Sequence, residues 1–132
     1  MAFYIISGKQ KKSYGFTFVE LMIVMAMLAL LLSIALPRYF AGLQRAKEAV
    51  LREDLATMRD AISHYREDKG SYPPTLNLLI EQKYLRAIPI DPITDKANSW
   101  MLTQPPDLSS NVYDVHSGAP GTATDGSRYS EW

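Results

Sequence analysis

The chain has 132 residues, 14 basic and 14 acidic side chains, a formal net charge of zero and no cysteine. The missing cysteines exclude disulfides, haem attachment, thiolate zinc sites and cysteine nucleophiles. The balanced charge lacks the basic stripe that a nucleic-acid partner would need.

Residues 1–15 read as a short basic leader, with Lys9, Lys11 and Lys12 and no acid. Removing it takes away three lysines and leaves a mature net charge of −3. Residues 16–36 then form an apolar run interrupted by a single charge, Glu20. At a rise of about 1.5 Å per residue this helix is about 30 Å long, enough to cross a bilayer core. A carboxylate inside it costs on the order of 3 kcal/mol. Glu20 therefore needs a cationic partner, and a new amino terminus at Phe16 would supply one. Two other readings compete. A secretory signal would use residues 21–32 as its apolar region and Ser33-Ile34-Ala35 as a small-x-small cut, but Glu20 sits badly in it. A plain single-span anchor gives Glu20 no purpose. Loop charge does not decide orientation, because Arg38, Arg45 and Lys47 follow the run as closely as the lysines precede it.

Pro37 ends the apolar run, and its missing donor predicts a kink or local melt over residues 33–37. Residues 37–69 continue as an amphipathic helix. Leu51, Leu55, Met58, Ile62 and Tyr65 recur at spacings of four and three, forming one buried face. Glu48 and Arg52 stand at i,i+4 as a favourable ion pair. Gly70 suits the left-handed position after the helix, and Tyr72-Pro73-Pro74 forces an extended connection. Thr75 caps a short second helix from Leu76 to about Lys83. Two prolines in Pro89-Ile90-Asp91-Pro92 forbid regular structure there. Trp100–Thr103 and residues 112–116 have strand composition and make a small antiparallel sheet laid on the helical stripe.

These segments carry a resemblance. Gly15-Phe16-Thr17-Phe18-Val19-Glu20-Leu21, behind a basic leader and ahead of an apolar helix with a later proline, resembles the class III signal of type IV pilins and pseudopilins. Phe18 stands where leucine is commoner. The second half, with Gly70-Ser71-Tyr72-Pro73, Ile88-Pro89-Ile90-Asp91-Pro92, Val112-Tyr113-Asp114-Val115 and a glycine-rich tail ending in Trp132, is similar to the major pseudopilins of type II secretion systems.

The resemblance implies an α+β fold of the pilin lollipop kind. Residues 1–15 are a removed leader, 16–36 the membrane-spanning and filament-core half of a long helix, 37–69 its amphipathic half, and 70–132 a small globular head. A prepilin peptidase is implied to cut between Gly15 and Phe16 and to methylate the new amine. Phe16, Glu20 and Pro37 are implied to serve assembly, Glu20 by pairing with a neighbouring subunit's amino terminus. The implied partners are further copies in a helical filament, minor pseudopilins, the secretion platform of the inner membrane, and the membrane itself. The subunit would be single-pass in the bacterial inner membrane with its head in the periplasm. The function implied is a non-enzymatic one, polymerising to help export folded proteins. A type IV pilus subunit is the alternative, and a membrane-anchored periplasmic protein of other function a further one.

The same family implies calcium in the C-terminal loop. Asp125 is the best ligand, with Asp114 at the loop's base and Ser117 able to contribute. One carboxylate of the family pattern is missing, since Gly118-Ala119-Pro120-Gly121 stands where Gly-Ala-Asp-Gly is usual. Asp125-Gly126 reads equally as an ordinary turn. His64 and His116 are isolated, and no spacing of acids suggests a catalytic pair.

Overall fold

The computed structural model describes residue 1, residues 14–107 and residues 109–132; the leader lysines lie outside the described residues. The chain divides into two compact units, Met1–Arg38 and Tyr39–Trp132. Five elements follow in order: helix α1 (Phe18–Lys69), helix α2 (Leu76–Glu81), strands β1 (Trp100–Thr103) and β2 (Asp114–Ser117), and a final 3-10 turn (Tyr129–Glu131). This is the α+β composition expected of a pilin-like chain.

Helix α1 begins two residues later than an uncapped apolar run would suggest. The reason is Thr17, whose hydroxyl accepts from the Glu20 N–H at 3.2 Å and whose carbonyl accepts from the Leu21 N–H at 3.1 Å. Thr17 is thus the cap, and Phe16 stays outside the helix. The melt expected at Pro37 does not occur, because helix runs unbroken from Phe18 to Lys69 with Pro37 inside it. One missing donor interrupts one bond of the ladder and leaves its neighbours intact. Among the described residues of the first unit the large apolar side chains are all exposed, Leu30 at 66% and Leu31 at 65% among them. By length and composition this helix can cross a membrane.

In the second unit α1 buries the stripe that its spacing predicts, Leu51, Leu55, Met58, Ile62 and Tyr65, and Ala61 beside it. Leu76 and Leu79 of α2, Trp100 of β1, Val115 of β2, and Val112, Ala119, Ala123 and Tyr129 complete one core. Gly70, at φ 73°, donates its N–H to the Arg66 carbonyl at 2.8 Å and ends the helix in the left-handed position. Thr75 caps α2 as expected. That helix stops at Glu81 rather than near Lys83, because Lys83 itself is left-handed at φ 63°.

Strands β1 and β2 pair antiparallel, Trp100 against Ser117 and Thr103 against Asp114. The second strand is shifted from the expected 112–116, because the Val112 N–H is spent on the Pro73 carbonyl at 2.7 Å. At the far end the chain passes so close to the start of β1 that a β-carbon on Gly118 would run into the Ser99 carbonyl oxygen. Backbone cannot retreat as a flexible side chain can. Gly118→Ala is expected to destabilise the second unit by about 1–3 kcal/mol, read as a lower urea midpoint with an unchanged slope.

Candidate functional site

Two clusters of side chains stand out, one in each unit. The first is the start of α1. Gly15 and Phe16 precede the helix in irregular, exposed chain, Phe16 at 83% exposure. A β-carbon at Gly15 would meet nothing within 4 Å, so the bond between these residues is sterically open. Three residues beyond its Thr17 cap, Glu20 occupies the first turn, where the helix dipole favours negative charge. The backbone of Glu20 is used by that cap, but its carboxylate makes no hydrogen bond or ion pair among the described residues. Exposed Phe18, Val19, Leu21 and Met22 surround it in sequence. A carboxylate on an apolar helix is costly in lipid unless a cation neutralises it.

The second cluster joins α1 to the C-terminal segment. Glu48 is buried at 7% exposure. It accepts from the Thr124 N–H at 2.9 Å, the Thr124 hydroxyl at 2.6 Å and the Tyr129 hydroxyl at 2.9 Å. Gln44 donates to the same Tyr129 oxygen at 2.8 Å. Burial alone would raise the Glu48 pKa, but the bonds from Thr124 and Tyr129 outweigh it and hold the carboxyl below its ordinary range. The expected Glu48–Arg52 ion pair is therefore not formed. Arg52 instead reaches Asp125 at 2.7 Å. Each of the two side chains has turned to a different part of the loop.

The residues expected to hold calcium are each engaged elsewhere. Asp125 accepts from the Ser127 amide at 2.9 Å and hydroxyl at 2.6 Å, besides Arg52. These bonds hold its carboxyl below the usual range, those from Ser127 contributing most. Asp114 pairs with Arg59 at 2.7 Å, and Arg59 also donates to the Val115 carbonyl at 2.9 Å. The Ser117 hydroxyl donates to fully buried Asp91 at 2.6 Å. Among the described residues no group of three or more His, Asp or Glu side chains is placed to hold a metal ion.

Glu48 and Asp91 are the polar residues that sequence reasoning missed. For Glu48 a signal existed: positions 48, 51, 55, 58, 62 and 65 continue the three–four spacing, placing it on the buried face. Asp91 sits between two prolines, and its acceptor role toward the Ile93 and Thr94 amides, at 2.8 and 3.3 Å, is that of a turn-forming aspartate. Its burial and its bond to Ser117 had no sequence signal.

Residues 10–36 match the family model for the prokaryotic N-terminal methylation motif. That match covers the start of the chain, and the capped, apolar first helix and the α+β second unit agree with the resemblance to type IV pilins and pseudopilins. More particularly, it is similar to the type II secretion system core protein G. It is 26% identical over 125 aligned residues to that of Escherichia coli K12, covering 83% of each chain. With that of Vibrio cholerae serotype O1 it is 26% identical over 137 aligned residues, 89% of this chain and 92% of the relative. It is also similar to fimbrial protein EcpC of Eikenella corrodens, 27% identical over 118 residues, 86% of this chain and 77% of the relative. No solved structure matches the chain.

Proposed function

We propose that the chain is a structural subunit of a type II secretion pseudopilus. Cleavage after Gly15 frees the amine of Phe16, which is methylated, and the subunit waits in the inner membrane with its head in the periplasm. A cytoplasmic ATPase then drives its polymerisation. The apolar helices exchange lipid for one another, and each Glu20 meets the amino terminus of a neighbour. Growth of the filament helps move folded proteins across the outer membrane, and the chain itself performs no chemistry. The single observation that carries this reading is the Glu20 carboxylate, fifth residue after the cut and without a partner among the described residues, on a helix whose large apolar side chains are exposed. Similarity to core protein G over most of the chain supports the secretion assignment.

Mass spectrometry of the mature amino terminus tests the processing step. The expected species begins with N-methyl-phenylalanine at Phe16; a mature chain beginning at Leu36 would make this an ordinary secreted protein. The likeness to a fimbrial protein favours a second reading, a type IV pilus subunit. Genes for a secretin and a secretion ATPase beside this one select the first reading. Genes for pilus retraction select the second.

A further inference from the structure

Residues 118–132 contain no strand and only one short 3-10 turn, and the chain has no cysteine with which to close them. Besides Gln44, which donates to the Tyr129 oxygen, two α1 side chains one turn apart bond them. Glu48 serves the inner side by accepting from Thr124 and Tyr129. Arg52 serves the outer side. Its Nη2 lies 2.7 Å from Asp125 Oδ2, and its guanidinium carbon stands 4.1 Å from the centre of the Trp132 ring. The Trp132 indole N–H donates to the Ser127 Oγ at 2.6 Å, and the Ser127 hydroxyl donates in turn to Asp125 Oδ1 at 2.6 Å. Arg52, Asp125, Ser127 and Trp132 thus form a closed ring of contacts.

We infer that Arg52 does here the work that a divalent cation would do, so that the C-terminal loop closes without calcium. Calcium asks for about six to eight oxygens at about 2.3–2.6 Å. Asp125 is the only carboxylate between Ser117 and Arg128, and both of its oxygens are taken, one of them by a cation that belongs to the chain. Bringing calcium to it would set a second cation against the first. Asp114 is paired with Arg59, and the Ser117 hydroxyl already donates its hydrogen bond to Asp91. A planar guanidinium also fits this place in a way a metal does not, since it can bond a carboxylate at its edge and stack an indole on its face. The inference holds for either kind of filament, because it concerns how the second unit is closed.

The test uses the full processed protein in detergent, with thermal unfolding of the second unit followed by near-ultraviolet circular dichroism. Tm is expected to agree within about 1 °C between millimolar calcium and excess chelator, whereas a site filled at a hundred times its Kd would separate them by on the order of 10 °C. Arg52→Gln is expected to lower Tm by about 2–5 °C, with Arg52→Lys recovering part of the loss through its charge. Calcium-dependent stabilisation of the unsubstituted protein overturns the inference. So does an Arg52→Gln protein as stable as the original. The calcium comparison needs no substitution and stands even if that variant does not fold.

Discussion

Glu20→Ala is expected to yield a cleaved, methylated and membrane-resident subunit that forms no filaments. Two terms act in the same direction. In the membrane pool the carboxylate is an expense of about 3 kcal/mol, so the alanine chain rests in lipid more comfortably than the original. In the filament the same carboxylate is expected to be neutralised by a neighbour's amine, and alanine forfeits that contact. A difference of about 3 kcal/mol corresponds to a weakening of about 100-fold in each subunit addition. Repeated along a polymer, such a loss leaves no filament at all. The proposed cleavage site at Gly15–Phe16 lies outside the helix, and the change leaves both residues in place. Electron microscopy of sheared filaments, beside immunoblots of the membrane pool, reads both halves of the prediction. Filaments at normal abundance would sink the role given to Glu20.

In the second unit the largest effect is expected from Glu48→Ala. The substitution removes one carboxylate and leaves the Thr124 amide, the Thr124 hydroxyl and the Tyr129 hydroxyl without their acceptor. Buried donors stripped of a charged partner cost about 2–4 kcal/mol. In a unit of this size that lowers Tm by on the order of 10–20 °C. Glu48→Gln keeps the shape and one acceptor, and should lose less. The pH dependence has a definite sign. Because the folded-state pKa of Glu48 lies below its ordinary value, ionised Glu48 adds stability that is fully present above that ordinary value, near pH 4.5. The contribution is lost as pH falls through the lower, folded-state value. Asp54 works in opposition: burial, with Asp91 and Glu53 nearby, raises its pKa, so its protonation relieves strain as pH falls. A stability–pH curve for Glu48→Gln should therefore be flatter on the acid side of pH 4.5 than that of the original. An equally steep acid limb in the variant would show that Glu48 is not the group responsible.

Much of this molecule is local, and local features are readable. The Gly15-Phe16-Thr17 junction and the three–four spacing of Leu51, Leu55, Met58, Ile62 and Tyr65 each depend on neighbours within one or two helical turns. The failures have the same origin seen from the other side. Glu48 and Arg52 satisfy the spacing of an ion pair, and on an isolated helix they would form one. Burial altered the comparison: a carboxylate removed from water needs several donors, and the loop offers three where Arg52 offers a share of one charge.

The sequence by itself determined the long helix, its apolar first half, its processing signal and the face that the second half buries. These follow from periodicity and from motifs contained in short stretches. Only the tertiary structure decided how residues 118–132 are held, that Asp91 receives Ser117, and that Val112 leaves the strand to bond Pro73. The donors that reach Glu48 come from 76 and 81 residues away. No period links positions so far apart in an irregular segment. They meet because the core beneath them closes, and the buried charge then takes whichever donors that closure brings within reach.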